Sequence, residues 1–250
     1  MTSDQNEAEF LAQYDIHDYD VPLATVDVVV FRVLDGRLQV LLVFRGEHPE
    51  RHKWALPGGF VDVGRDADLY ATALRKLREK TRVATLYLEQ LGSFGDGKRD
   101  PRGWSLTVVY LALLNDEATT GKPANKDQLA WLPLEEAVVK PLAFDHQRLI
   151  RHAWQRLRNK ATYTALPTHL LPEAFTLGEL QEMYELILGG KVDKSAFRRR
   201  IRDAAILDAI PGAWKTGANR PAQLYRLAPG KDDYYFLRPM TLPQPAAEKK

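Results

Sequence analysis

KWALPGGFVDVGRDADLYATALRKLREKTRV, running from Lys53 to Val83, decides how the rest of the chain is read. An apolar approach meets Pro57-Gly58-Gly59, leaves through Phe60-Val61-Asp62, and gives way to a segment dense in charge. Proline followed by paired glycines punctuates a chain, so a ligand-facing turn is expected there. Asp66 or Asp68 is placed to cap a helix, because a short carboxylate accepts from first-turn amides that have no partner. Beyond the cap, Leu69, Ala73, Leu74 and Leu77 recur at steps of three and four and predict one buried stripe. Arg75, Lys76, Arg78, Glu79, Lys80 and Arg82 fall outside that stripe, leaving a charged face for a ligand.

The segment resembles a Nudix box, the loop-helix-loop of pyrophosphohydrolases. Its usual form is Gly, five residues, Glu, seven residues, then Arg-Glu-apolar-any-Glu-Glu-any-Gly-apolar. Gly59 opens that frame and Arg75 through Val83 closes it. The chemistry departs from the frame: Arg65 stands at the first Glu, and nine residues rather than seven separate it from Arg75. Lys76 and Lys80 replace two helix carboxylates, Arg82 replaces the closing Gly, and Glu79 alone remains. In the family those carboxylates hold Mg²⁺, a hard ion that takes several oxygen ligands and neutralises a pyrophosphate under attack by water. A lysine repels the metal but pairs with phosphate as a point charge. The expectation is a pyrophosphate binder with no catalytic residue, no metal ligand and no cofactor. A charged amphipathic helix alone is usually a solvated surface; LPGGFVD and the in-frame Arg75 and Glu79 favour the Nudix reading.

The whole chain sets bounds. Its 250 residues, 45% of them hydrophobic, suffice for one large or two modest domains, and two are expected. A net charge of +2 identifies no partner, so local clustering must. With no cysteine, disulfides, thiolate nucleophiles and zinc-thiolate sites are excluded. The acidic start MTSDQNEAEFLAQYDIHDYD lacks the basic opening and apolar core of a signal peptide. No apolar run approaches the roughly 20 residues that span a bilayer, so a cytoplasmic protein without a membrane partner is expected.

Residues 1–161 are read as the ligand-binding domain. Ala24–Val33, Asp35-Gly36 and Arg37–Phe44 predict a β-hairpin, with Arg45 at its exit near the ligand. Further strands are expected over Tyr87–Phe94 and Trp104–Leu114, and a late strand and turn over Asp127–Ala137. The polar loop Gly95–Gly103 carries Arg99 and Arg102 around Asp100, two fork-shaped donors for a ligand. Leu149, Ile150, Ala153, Trp154 and Leu157 predict a closing helix over Phe144–Lys160. His146 and His152 have no metal-pair spacing and are assigned structural roles.

Residues 162–250 are read as a winged helix. Thr176 caps a helix that Gly189-Gly190 ends, with Leu177, Leu180, Tyr184 and Ile187 inward. Asp193 caps a second helix, in which Lys194–Arg202 (KSAFRRRIR) hold five basic side chains. Phe197, Ile201 and Ala204 or Ala205 form its buried stripe, which puts Ser195, Arg198, Arg199 and Arg202 on the exposed side with Lys194. Two short strands, Ala205–Ile210 and Gln223–Leu227, flank the loop PGAWKTGANRPA and make a wing carrying Lys215, Thr216 and Arg220.

LPGGFVD, RKLREKT, RDPRGW and AFRRRI together resemble the NrtR family of Nudix-related transcriptional regulators, over Thr25 to Leu227. The resemblance implies an α+β fold, a Nudix α/β/α sandwich with a mixed sheet followed by a winged helix-turn-helix domain. It implies a homodimeric repressor of NAD biosynthesis or salvage genes that binds a palindromic double-stranded DNA operator and responds to ADP-ribose or a related NAD metabolite. Ligand contacts would come from Arg45, Gly59, Phe60, Lys76, Glu79, Arg99, Asp100 and Arg102. DNA contacts would come from Lys194, Ser195, Arg198, Arg199, Arg202, Lys215, Thr216 and Arg220. Two alternatives stay open: an active ADP-ribose pyrophosphatase using Mg²⁺ on Asp62, Asp66 or Asp68, and an adaptor whose basic helix docks an acidic protein.

Overall fold

Alternation along β1 (Leu23–Leu34) sorts its side chains onto two faces, as the pleat of a strand requires. Val26, Val28 and Val30 serve one apolar cluster, Val29 and Phe31 another. The computed structural model describes residues 7–81, 87–115, 128–216 and 220–240; the Arg82-Val83 end of the box, Asp127 and 217–219 of the wing loop lie outside them. β1 turns through Asp35 (φ 51°) and Gly36 (φ 70°) into antiparallel β2 (Arg37–Phe44), Leu34 opposite Arg37. Left-handed backbone at both turn positions matches the twist of a two-residue hairpin.

The sheet runs β3 (Trp54–Ala55), β2, β1, β6 (Ser105–Leu114), β5 (Tyr87–Asp96). β4 (Gly58–Phe60) also pairs with β1, and β7 (Leu129–Pro133) with β2. β1 and β6 are parallel and the other pairs antiparallel, so the sheet is mixed. The glycine pair thus forms a short strand against β1 rather than a tight turn. A one-turn helix, α3 (Leu134–Ala137), follows β7 where a turn was expected. α1 (Glu7–Gln13) is wholly exposed.

Helices cover both faces of the sheet. On one, Ala73 and Leu77 of α2 (Leu69–Thr81) pack with Val26, Val28, Val30 and Leu41. Leu69, expected in that stripe, is the first helical residue and is 38% exposed. Thr72 is buried there instead, its hydroxyl donating to Asp66 Oδ2 at 2.9 Å. On the other face Leu149, Ile150, Ala153 and Leu157 of α4 (His146–Tyr163) meet Val29, Phe31, Val40 and Leu111.

That second core does not stop at α4. Beyond a 3-10 turn (Leu166–Leu170) and β8 (Phe175–Thr176), it takes in Leu180, Tyr184, Ile187 and Leu188 of α5 (Leu177–Leu188). It then reaches Phe197 and Ile201 of α6 (Lys194–Ala204). Thr176 and Glu179 close a reciprocal capping box on α5, and Gly189 (φ 77°) ends it in the left-handed conformation. Asp193 accepts from Ala196 N at 2.7 Å and caps α6. β9 (Leu207–Lys215) and β10 (Ala222–Leu227) form the wing and join β8 in a three-stranded sheet. β9 runs through Pro211-Gly212, expected as loop, because the Gln223 side-chain amide donates to Ile210 O and Ala213 O beside a break in the ladder register. The fold is α+β, a Nudix sandwich followed by a winged helix. No helix among the described residues is long and apolar enough to cross a membrane.

Candidate ligand-binding site and nucleic-acid interface

β4 lies so close across β1 that a side chain at Gly58 has no room. A Cβ there would meet Val26 O at 2.5 Å and overlap the Asp27 carboxylate. Asp27 borders a cavity of about 250 Å³ lined also by Arg45, Gly59, Phe60, Lys76, Lys80, Arg99, Arg102, Phe144 and His146. Of the residues expected at a ligand, Arg45, Gly59, Phe60, Lys76, Arg99 and Arg102 share this lining. Asp100 and Glu79 do not: Asp100 is buried behind Arg102 and grips its guanidinium at 2.7 and 3.0 Å, while Arg102 lies 4.7 Å over the Phe60 ring. Arg45 lies 4.8 Å over Phe144 and donates to Pro49 O; burial, then repulsion from Arg102, lowers its pKa. Burial, then Arg75, likewise lowers that of Lys76. Cations held against burial and, second to it, mutual repulsion would be relieved by an anion.

Buried Arg99, Asp27 and His146 close the inner end. Arg99 pairs with Asp145 at 3.0 Å and lies 3.5 Å from Asp27, which accepts from Thr107 Oγ1 at 2.8 Å. His146 Nδ1 accepts from Leu56 N at 2.8 Å, which assigns its proton to Nε2, facing Asp27 Oδ1 at 3.6 Å. Burial lowers the His146 pKa and keeps the ring neutral. Sequence reasoning left Asp27, Lys80, Phe144 and His146 out of the site: Asp27 was read only as part of a strand, Lys80 only as part of the charged helix face, Phe144 only as the start of a helix, and His146 as structural. His152, by contrast, packs on Phe94 at 5.1 Å.

The acids of the box are already engaged. Asp66 receives Arg75 Nε and Nη2, both at 2.6 Å, together with Asp62 N and Thr72 Oγ1. Those bonds, Arg75 foremost, hold its carboxyl well below the usual carboxylate range. Asp68 caps α2 through Ala71 N at 2.7 Å, so of the two candidate caps it is the one used. Asp62 accepts from Gly64 N, and Glu79 is paired with Arg65 at 3.2 Å and Arg75 at 3.1 Å. Among the described residues no three His, Asp or Glu side chains converge on one point. With two lysines in the cavity wall and the acids bonded to arginine and backbone, this donor set does not fit a Nudix Mg²⁺ site.

In the winged helix, Lys194, Ser195, Arg198, Arg199 and Arg202 of α6 are all exposed, as are Thr216 and Arg220 on the wing. Arg202 also pairs with Asp203 at 3.3 Å. Lys215 is turned back onto Glu179 of the capping box at 2.5 Å. Arg200, third in the run of arginines, points inward.

Fold and sites define a class, a Nudix-fold domain carrying a C-terminal winged helix. Comparison places it further: residues 23–153 match the NUDIX domain and residues 167–227 the NrtR DNA-binding winged helix domain. The chain belongs to the NrtR family. It is 48% identical over 239 residues to the ADPR responsive transcriptional repressor NtrR of Acinetobacter baylyi, covering 96% of this chain and 95% of that protein. The crystal structure of Shewanella oneidensis NrtR complexed with a 27mer DNA superposes with a TM-score of 0.83 at 45% identity, covering 87% of this chain and 99% of that one. The Nudix domain of the same protein complexed with ADP ribose gives a TM-score of 0.57 at 47% identity, covering 61% and 99%.

Proposed function

We propose that this chain is a transcriptional repressor that binds operator DNA through α6 and the wing and senses ADP-ribose in the Nudix cavity without hydrolysing it. One observation carries the second half: Lys76 and Lys80 enter the cavity wall where the box calls for metal-holding carboxylates, while the remaining acids are bonded to arginine and backbone. The cavity offers cations and an aromatic face, the chemistry that takes a pyrophosphate and its attached rings. The exposed arginines of α6 offer charge to phosphates and forked donors to base edges.

In this reading residues 1–161 serve the ligand and 162–250 the DNA, in the cytoplasm, and the regulated genes are those of NAD synthesis or salvage. A homodimer would set two copies of α6 in successive major grooves of a palindromic operator, about one helical turn apart. ADP-ribose relieves repression only if it binds the DNA-incompetent arrangement more tightly.

A fluorescence-anisotropy titration against the chain's own promoter region, at fixed salt with and without ADP-ribose, tests the reading. Tight binding that ADP-ribose weakens is expected, and Arg198→Glu should abolish it while ADP-ribose still binds. No DNA binding in either condition, or phosphate release from ADP-ribose with Mg²⁺ and a coupled phosphatase, would overturn it.

A further inference from the structure

We infer that Arg200 is a positioning residue for DNA reading: it fastens the basic helix α6 to the far end of α4, the helix whose near end walls the ligand cavity. The inference rests on the functional reading above and adds the joint between its two sites.

Three consecutive arginines on one helix step about 100° apart, so they cannot all face DNA. Arg198 and Arg199 are exposed; Arg200 turns the other way. Its guanidinium lies 3.9 Å over the Phe236 ring, and its Nη2 donates to Thr162 O at 3.0 Å. Its Nη1 donates to Arg238 O. Thr162 lies in the last turn of α4, where carbonyls lack helical partners and the helix dipole favours a cation. The segment supplying Phe236 and Arg238 is bound to the same helix end: Ala165 N donates to Tyr234 O, Phe236 N to Tyr163 O and Met240 N to Thr162 O, at 3.0, 2.8 and 2.7 Å. Arg200 is therefore bonded to α4 directly and through this strap.

At its other end α4 begins in the ligand cavity. His146 lines the cavity, and Asp145 just before it receives Arg99. The 18 residues of α4 make a rod about 27 Å long, at about 1.5 Å per residue. A ligand that shifts Arg99 or His146 acts on one end of the rod; the guanidinium of Arg200 carries the position of the other end to α6. Coupling of this kind needs a contact that ligand and DNA states both bias.

The test compares Arg200→Ala, Arg200→Lys and Arg198→Ala in the full chain. Operator affinity is measured across a salt series with and without ADP-ribose, and ADP-ribose binding to the free protein by calorimetry. Arg200→Ala should weaken operator binding about tenfold, keep the wild-type slope of log K against log salt, bind ADP-ribose normally, and lose most of the ADP-ribose effect on DNA. Arg198→Ala should instead flatten the slope by about 1, the value for one lost phosphate contact, and keep the ADP-ribose effect. Arg200→Lys retains the charge without the planar fork, so it should behave as Arg200→Ala does. Should Arg200→Ala fail to fold, Phe236→Leu removes the stack alone and should reduce the ADP-ribose effect in the same way. A flattened slope with the effect intact in Arg200→Ala, or no change in either, would overturn the inference. Wild-type protein that binds ADP-ribose with no change in operator affinity would overturn the functional reading and the inference together.

Discussion

Gly58 and Asp66 are two positions at which one side chain decides whether the box can form. A methyl at Gly58 runs into Val26 O, a backbone atom fixed by the β1 ladder, so Gly58→Ala should cost about 1–3 kcal/mol by forcing β4 off β1. Urea unfolding followed by fluorescence checks this, and an unchanged midpoint would contradict it. Asp66 acts through charge. Because Arg75 holds its folded pKa below the unfolded value of about 3.9, the pair stabilises the fold above about pH 4 and that stabilisation is lost as the pH falls further. Asp66→Asn should thus lower the Tm at neutral pH, and the gap to wild type should close in acid. Thermal melts between pH 7 and 3 measure it; a gap that widens in acid would show that the carboxylate is not the source.

At the scale of elements, helix ends were the most legible part of the sequence because a cap is a local event. Thr176, Asp193 and Gly189 each satisfy backbone groups within a turn of themselves, and each does so in the structure, where Glu179 completes the Thr176 cap as a reciprocal pair. Thr176→Ala removes one half of the reciprocal pair and should cost about 1 kcal/mol, seen as a lower urea midpoint with an unchanged slope. The pattern misled where partners come from afar. Lys215 reads as one more cation on the wing, yet it reaches Glu179 across 36 residues. Asp27 reads as an interruption in a valine run, and only the register of β1 beside β6, with Thr107 next to it, shows it walling a cavity. His146 becomes a cavity residue only when the loop at Leu56 folds against the start of α4. The box itself was legible as a frame, but its spacing did not reveal that Arg65 and Arg75 occupy Glu79. Arg200 was part of a charge run in the sequence and proves to be bonded inward, since helical phase separates neighbours that a linear count groups together.

For the molecule as a whole, the apolar core passes from the sheet through α4 into α5 and α6 without a break. Unfolding should therefore be a single cooperative transition, with far-UV circular dichroism and tryptophan fluorescence superimposing across a urea titration. Two resolved transitions would mean that the ligand and DNA halves are energetically separate. Tyr184 shows how tight the seam is: fully buried on α5, it donates to Thr164 O just past α4 and meets Phe197 of α6 edge-on at 5.3 Å. The same seam bears on inheritance. A recombination event that grafted another output domain onto this sensor after residue 161 would set the side of α4 that packs on α5 against a surface never fitted to it. A viable exchange would have to carry α4 along or remake its far side residue by residue. Sensor and reader thus share one core, and a change of side chain on one bank of the seam should alter the fit of the other.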